Sequence, residues 1–241
     1  MRAVPAPLRR LAVSLVALAA VVVPILITMW VFTPPANDVQ QRVHARTQAL
    51  GVVVLQEGDV PPLLASAVVA IEDERFYAHH GIDSIGLGRA FLYDVTNLCL
   101  CQGGSTITEQ LVKDVYLGGS DRGYNKLEDL IIALKVEQVI DKGQILADYL
   151  SVITTGRNRY GVRSAACAYF HAPLRGLTLG QYALLAGVTQ APSLYDPTVD
   201  PDAAAMRRGH VLSAMVADHM ITPAEAATAN AEPVTSQGPG C

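Results

Sequence analysis

The sequence has no basic tract. Its 18 lysines and arginines are outnumbered by 22 aspartates and glutamates, for a net charge of -4. That balance argues against a nucleic-acid partner. No Gly-Lys-Ser/Thr follows a glycine-rich loop, which excludes a P-loop. His79 and His80 are adjacent and lack an H-E-x-x-H frame, which argues against a zinc hydrolase. No Ser-x-x-Lys or Lys-Thr-Gly is present, so serine acylation of the β-lactam type is not expected. Cysteine is scarce. Cys99 and Cys101 stand too close for a zinc knuckle, and Cys167 and Cys241 are isolated in sequence. A bridge from the Cys99/Cys101 pair to Cys167 and buried free thiols are both open. There are no internal repeats. Strand signals are sparse too, with GVVVLQ (51–56) the one clear example.

One long apolar run is present. From Leu11 to Phe32 the chain carries no charge, enough length for a helix to cross a bilayer. Arg2, Arg9 and Arg10 precede it, and no Lys or Arg follows until Arg42. The positive-inside bias puts the N-terminus in the cytoplasm and the rest outside. A cleaved signal peptide would have a shorter apolar core and an A-x-A-like site after it, so the expectation is an uncleaved anchor. The expected layout is a cytoplasmic N-terminus (1–10), a transmembrane anchor (11–32), a linker (33–60), a mostly α-helical domain (61–230) and a loose tail (231–241).

Within that domain the pattern predicts helices. One opens at Pro61-Pro62, where a first-turn proline is tolerated, and runs to about Ala78. Read that way, Val68, Glu72, Phe76 and His79 share a face. A carboxylate in line with Val and Phe is partly desolvated, which makes a better base. The alternative is a surface acid near a helix end. Residues 85–100 are apolar with few charges. They read as core helix first, and as a membrane-dipping flap second. Arg89 inside that run suggests an anion partner or a snorkelling side chain.

After Gly103 and Gly104 a helix starts with a Thr106/Glu109 capping-box pattern. Its N-terminus suits an anion. Thr106, Gln110 and Lys113 lie on one face at i, i+4 and i+7, a hydroxyl, an amide and a cation that suit a phosphate or a sugar. An ordinary capped amphipathic helix has the same pattern. Arg122 follows a Gly-Gly-Ser break and could reach a phosphate, or be a plain loop arginine. A helix over 125–140 puts Asp129, Ala133, Glu137 and Ile140 on one stripe. Two carboxylates with alanine between them leave room for a ligand, or form a solvated acidic face. Further helices are expected over 143–153, in VRSAACAYFHA, from a second capping box at Thr178/Gln181, near 203–219 and from Pro223.

Taken together, three of these stretches resemble the peptidoglycan glycosyltransferases, glycosyltransferase family 51. Glu72, Asp73, Phe76, His79 and Gly81 match the family's E-D-x-x-F-x-x-H-x-G. Gly103 to Thr108, Gln110, Leu111 and Lys113 match G-G-S-T-I-T-Q-Q-L-x-K-N, with Glu109 in place of the first Gln and Asp114 in place of the Asn. In R-K-x-x-E-x-x-x-A-x-x-x-E, Lys126, Ala133 and Glu137 match, while Asn125 and Asp129 replace the Arg and the first Glu. Lys142, Ile145, Leu146, Tyr149 and Leu150 meet K-x-x-I-L-E-x-Y-L-N, with Ala147 and Ser151 departing. The resemblance covers about Pro61 to Thr222.

The resemblance implies a mainly α, lysozyme-like glycosyltransferase domain behind one transmembrane helix, with a membrane flap at 85–100. It implies a monofunctional enzyme of cell-wall synthesis at the plasma membrane that polymerises lipid II. Its partners would be the growing lipid-linked glycan strand, the membrane and cell-wall transpeptidases. Glu72 would be the general base, with Asp129 as the second acid. Arg89, Lys113 and Arg122 would neutralise the diphosphate. Ser105, Thr106 and Gln110 would line the groove, and Asp73, Phe76, His79, Gly104, Lys126 and Glu137 belong to the substrate-binding set. No cofactor is required outright, and a divalent cation (Mg or Mn) is left open. A lipid II-binding scaffold without activity is the alternative, and a muramidase-like hydrolase a third reading.

Overall fold

The computed structural model describes residues 6–98, 104–118, 125–235 and 241. Gly103, Arg122, Cys99 and Cys101 lie outside the described residues. The chain is α-rich, as expected. It runs through α1 (Ala6–Phe32), α2 (Val39–Leu50), α3 (Pro62–Glu72), α4 (Ser84–Asn97), α5 (Ile107–Tyr116), α6 (Asn125–Val136) and α7 (Lys142–Val152). A small hairpin follows, β1 (Thr154–Gly156) with β2 (Arg159–Tyr160), then α8 (Val162–Phe170), α9 (Leu179–Val188), α10 (Pro201–Ala217) and α11 (Pro223–Asn230).

The centre is α9. Its sequence, LGQYALLAGV, has no charged residue, and a helix apolar all round belongs inside a domain. Every residue from Tyr182 to Val188 is buried, and α3, α8, α10 and α11 pack around it. The expected capping box fixes its start. The Thr178 hydroxyl accepts from the Gln181 N–H at 3.2 Å, and the Gln181 side chain accepts from the Thr178 N–H at 3.0 Å. On the other side α5 packs against α6 and α7, with α2 laid over α5 and α7.

Several expectations change. The span 33–60 is not all linker: Val39, Val43 and Thr47 of α2 are buried in the core. GVVVLQ pairs with no strand among the described residues; its Leu55 N–H instead donates to the Ser151 hydroxyl at 2.8 Å. The strands form in TTGRNRY, where Asn158 takes the left-handed conformation (φ 53°) that a tight hairpin turn needs. Cys167 is bonded to Cys241, which removes Cys167 as the partner of the Cys99/Cys101 pair.

The first motif departs most. α3 ends at Glu72, and Phe76–Ala78 is a separate 3-10 turn, so Glu72, Phe76 and His79 do not continue one helical face. The cause is Asp73. Its backbone is extended (φ -161°), and its carboxylate accepts the Ile107 N–H that opens α5, at 3.0 Å. A carboxylate on a free helix N-terminus is favoured by the helix dipole as well as the hydrogen bond. The 125–140 helix is also shorter than expected, ending at Val136.

α1 is long and apolar enough to cross a membrane, with Pro7–Phe32 as the candidate span by length and composition. At its end the Lys135 ammonium, from α6, donates to the carbonyls of Trp30 (2.7 Å), Thr33 (2.9 Å) and Pro34 (3.2 Å). It also lies 5.2 Å from the centre of the Trp30 ring. A cation on the last carbonyls of a helix satisfies groups that have no partner within the helix.

α4 corrects the core reading of 85–100. Ile85, Leu87, Leu92, Tyr93, Val95 and Leu98 are all exposed, Leu98 at 94%. Ala90 is the one apolar residue of this helix that is buried among the described side chains.

Candidate active site

A cleft of about 1030 Å³ opens between α3, α4, α5, the β1–β2 hairpin and the segment after α9. Glu72 lines it from the last position of α3. Both of its carboxylate oxygens have a partner. Oε2 accepts from the Gln110 amide at 2.9 Å, and Oε1 lies 3.1 Å from the Thr189 hydroxyl. Gln110 is held in turn, because the Tyr149 hydroxyl donates to its carbonyl oxygen at 3.3 Å. Tyr149 is fully buried. Burial first, and then the charge of Glu72, hold its phenol well above the usual value, so it stays a donor.

The expected residues divide into those on the cleft and those behind it. Glu72, Asp73, Arg89, Gly104, Ser105, Thr106, Gln110 and Lys113 all line the cleft. Within that group Thr106 is committed to structure: its hydroxyl donates to the Gly81 carbonyl at 2.7 Å and accepts the Glu109 N–H at 3.1 Å. Gly81 is needed here because φ is +88° and a Cβ would stand 2.9 Å from the backbone of Ala133. Arg89 has an anion partner within the chain, Glu74 at 2.8 Å, with both side chains largely exposed.

Phe76, His79 and Glu137 stand behind the wall. Phe76 is fully buried, with the Lys142 ammonium 4.3 Å from its ring centre. His79 Nε2 is 3.0 Å from both oxygens of Asp73, so Nε2 carries the hydrogen. Glu137 accepts from the Thr108 hydroxyl at 2.5 Å and pairs with Lys142 at 2.7 Å, tying α5 to α7. These three position the motif helices and do not line the cleft. Arg122 lies outside the described residues.

The third motif is rearranged. Glu109 does not close the expected capping box on Thr106. Its carboxylate turns to Lys126, whose ammonium also donates to the Ser105 hydroxyl at 2.8 Å. Glu109 is 3% exposed, and burial raises it despite that lysine. Asp129 does not line the cleft. It is 7% exposed, its Oδ1 has no hydrogen-bond partner, and burial pushes it up to about 6, against the pull of Lys126. Among the described residues no group of three or more His, Cys, Asp or Glu side chains converges to hold a metal ion.

Among the cleft residues that sequence reasoning missed are Thr189, Arg207, Arg46 and Tyr160. Arg207 comes from α10. Its Nε donates to the Gly187 carbonyl at 3.1 Å, and its guanidinium lies 5.7 Å from the Tyr195 ring centre. Burial lowers its pKa, and the nearby charge of Glu72 opposes that. Arg46 comes from α2, with its guanidinium 6.0 Å from the Tyr160 ring centre. The segment from PSLYDP (192–197) to RRGHVLSAM (207–215) also follows the family and contains Arg207, without giving it a role. Nothing in the sequence marks Thr189, which is a polar residue closing an apolar helix.

Comparison with known proteins agrees with the motifs. The family model described as Transglycosylase matches residues 40–216. Penicillin-binding protein 1A of Neisseria gonorrhoeae is 41% identical over 165 residues, 68% of this chain and 21% of that protein. Its counterpart from Vibrio cholerae is 40% identical over 182 residues, 76% of this chain and 22% of that one. The crystal structure of penicillin-binding protein 1A from Haemophilus influenzae aligns with a TM-score of 0.44 at 23% identity, covering 77% of this chain and 18% of that one. The chain thus spans 21–22% of the length of these two curated relatives. With the family model covering well over half of its length, the chain belongs to the transglycosylase family, the peptidoglycan glycosyltransferases whose motifs it carries.

Proposed function

We propose that the chain is a membrane-anchored peptidoglycan glycosyltransferase that polymerises lipid II, with Glu72 as its general base. The observation that carries this reading is the setting of Glu72. It stands on an open cleft, half-buried, with Gln110 and Thr189 holding its two oxygens. A base must be within hydrogen-bond reach of its proton and fixed in orientation, and this carboxylate is fixed from behind with its outer side facing the cleft.

In this reading Glu72 takes the proton from the 4-hydroxyl of the acceptor sugar. That oxygen attacks C1 of the lipid-linked donor from the face opposite the diphosphate. The new O4–C1 bond forms as the C1–O bond to the diphosphate breaks, with inversion, and undecaprenyl diphosphate leaves with the electron pair. Charge grows on the diphosphate as it leaves. Arg89 and Lys113, two of the cations that line the cleft, would stabilise it. The polyprenyl chains stay in the bilayer. The exposed apolar side chains of α4, the helix that carries Arg89, suit contact with lipid, and α1 suits the anchor, with its N-terminal end cytoplasmic by the positive-inside rule.

The test is incubation of the purified protein with labelled lipid II. Glycan strands should form, and Glu72→Gln should abolish them while leaving the fold intact. Absence of polymer from the unaltered protein across detergents and divalent cations would count against the reading. A second reading, a lipid II-binding scaffold, draws on Lys126 being engaged by Glu109 and on the unpartnered Asp129 oxygen. Binding of labelled lipid II without turnover, unaffected by Glu72→Gln, would favour it.

A further inference from the structure

Thr189 is the C-terminal cap residue of α9, 117 positions from Glu72 in sequence. Its hydroxyl lies 2.7 Å from the Ala186 carbonyl and 3.1 Å from Glu72 Oε1, and it is 7% exposed. A hydroxyl has one proton and two acceptor positions, so it can donate to only one of these oxygens at a time. The other side of Glu72 differs in kind. Gln110 presents an amide N–H₂ to Oε2, held in that orientation by Tyr149, and an amide nitrogen can only donate. A proton on Oε2 would face that donor without an acceptor. A proton on Oε1 would face a hydroxyl that can turn its own proton to Ala186 and accept.

The geometry points to Thr189 as a positioning residue that turns its single proton between Glu72 and Ala186, making Oε1 the oxygen that holds the substrate proton during turnover. With Glu72 ionised, Thr189 donates to Oε1. When Glu72 has taken the proton of the acceptor hydroxyl, Thr189 donates to Ala186 and accepts from Oε1. The ionised carboxylate is the stronger acceptor and draws the hydroxyl proton away from the Ala186 carbonyl, and protonation of Oε1 returns it, so the base changes protonation without moving its surroundings. This inference rests on Glu72 being the base.

The experiment compares Thr189→Val and Thr189→Ser in the full chain, measuring initial rates of labelled lipid II polymerisation over a range of lipid II concentrations. Valine keeps the shape and removes the hydroxyl; serine keeps the hydroxyl. The expected result is a fall in kcat of about 10- to 100-fold for valine, the range for losing a hydrogen bond to an ionised group, with KM unchanged. Serine should stay within about threefold of the unaltered protein, since its hydroxyl makes the same bonds. If valine does not fold by thermal melt, Thr189→Ala provides the same comparison. Unchanged kcat in the variant lacking the hydroxyl overturns the inference, as does equal impairment of the serine variant. If the unaltered protein makes no polymer, the transferase reading itself fails, and this inference with it.

Discussion

Glu72 and Asp129 are the two carboxylates to which the family resemblance gives acid and base roles, and the fold treats them in opposite ways. Glu72 ends its helix on an open cleft, with a partner on each oxygen drawn from a different element. Asp129 sits within α6, 7% exposed, with one oxygen unpaired and its pKa pushed up to about 6. The cation that lowers it most, Lys126, is already bonded to Glu109 and Ser105. The lesson is that the fold places a hydrogen-bonding side chain at each oxygen of one carboxylate and buries the other with one oxygen unpaired. The first suits the proton exchange proposed for it, and the second has a charge that burial resists.

Four measurements break or sharpen that contrast. Glu72→Gln should reduce lipid II polymerisation by roughly 10³-fold or more, within the range for losing a general base, with an unchanged melting temperature. Equal loss in Asp129→Asn would erase the distinction.

The second effect is on stability. A carboxyl whose folded pKa is raised contributes its stabilisation fully below the unfolded value, and that contribution is lost as pH rises through the folded value. For Asp129 the window runs from about 4 to about 6, so at pH 8 its ionisation costs on the order of 2–3 kcal/mol. Asp129→Asn should therefore stabilise the protein by up to about that amount at pH 8 and give no gain at pH 4, read from denaturant unfolding at the two pH values. A destabilised variant at pH 8 would mean that the charged form is held by a partner.

Third, Gln110→Leu removes the donor on Glu72 Oε2 and should lower kcat by about 10-fold or somewhat more. Fourth, Leu92→Ser on the exposed face of α4 should weaken association with phospholipid vesicles by several-fold, as expected for removing part of one leucine's apolar contact, and leave the melting temperature unchanged. A drop in melting temperature there would restore the core reading of this segment.

What the sequence reveals of this site follows from distance along the chain. Thr106, Gln110 and Lys113 could be grouped because a single helix spaces them at i, i+4 and i+7, and all three line the cleft. The same arithmetic failed one motif earlier. The 3.6-residue period runs on through Phe76 and His79, but the helix stops at Glu72 because Asp73 bonds α5 instead. Periodicity cannot see a side chain that ends a helix by capping another. Tyr149, Thr189 and Arg207 reach Glu72's surroundings from α7, the end of α9 and α10, and only tertiary packing brings them together. α4 shows a different limit. Its composition fits a buried helix as well as an exposed one, and hydropathy does not state which solvent an apolar face meets. The α-rich class and the reciprocal cap at Thr178 were legible because both depend on short-range pattern alone.

The lysine at the end of α1 has a mechanical meaning. Lys135 grips carbonyl and hydroxyl oxygens of Trp30, Thr33 and Pro34, and it belongs to the same helix as Lys126 and Asp129. The apolar helix and α6 are thus coupled at a single rivet. A tilt of α1 acts as a torque on α6, and the carboxylate that the fold holds least comfortably lies on the arm that receives it.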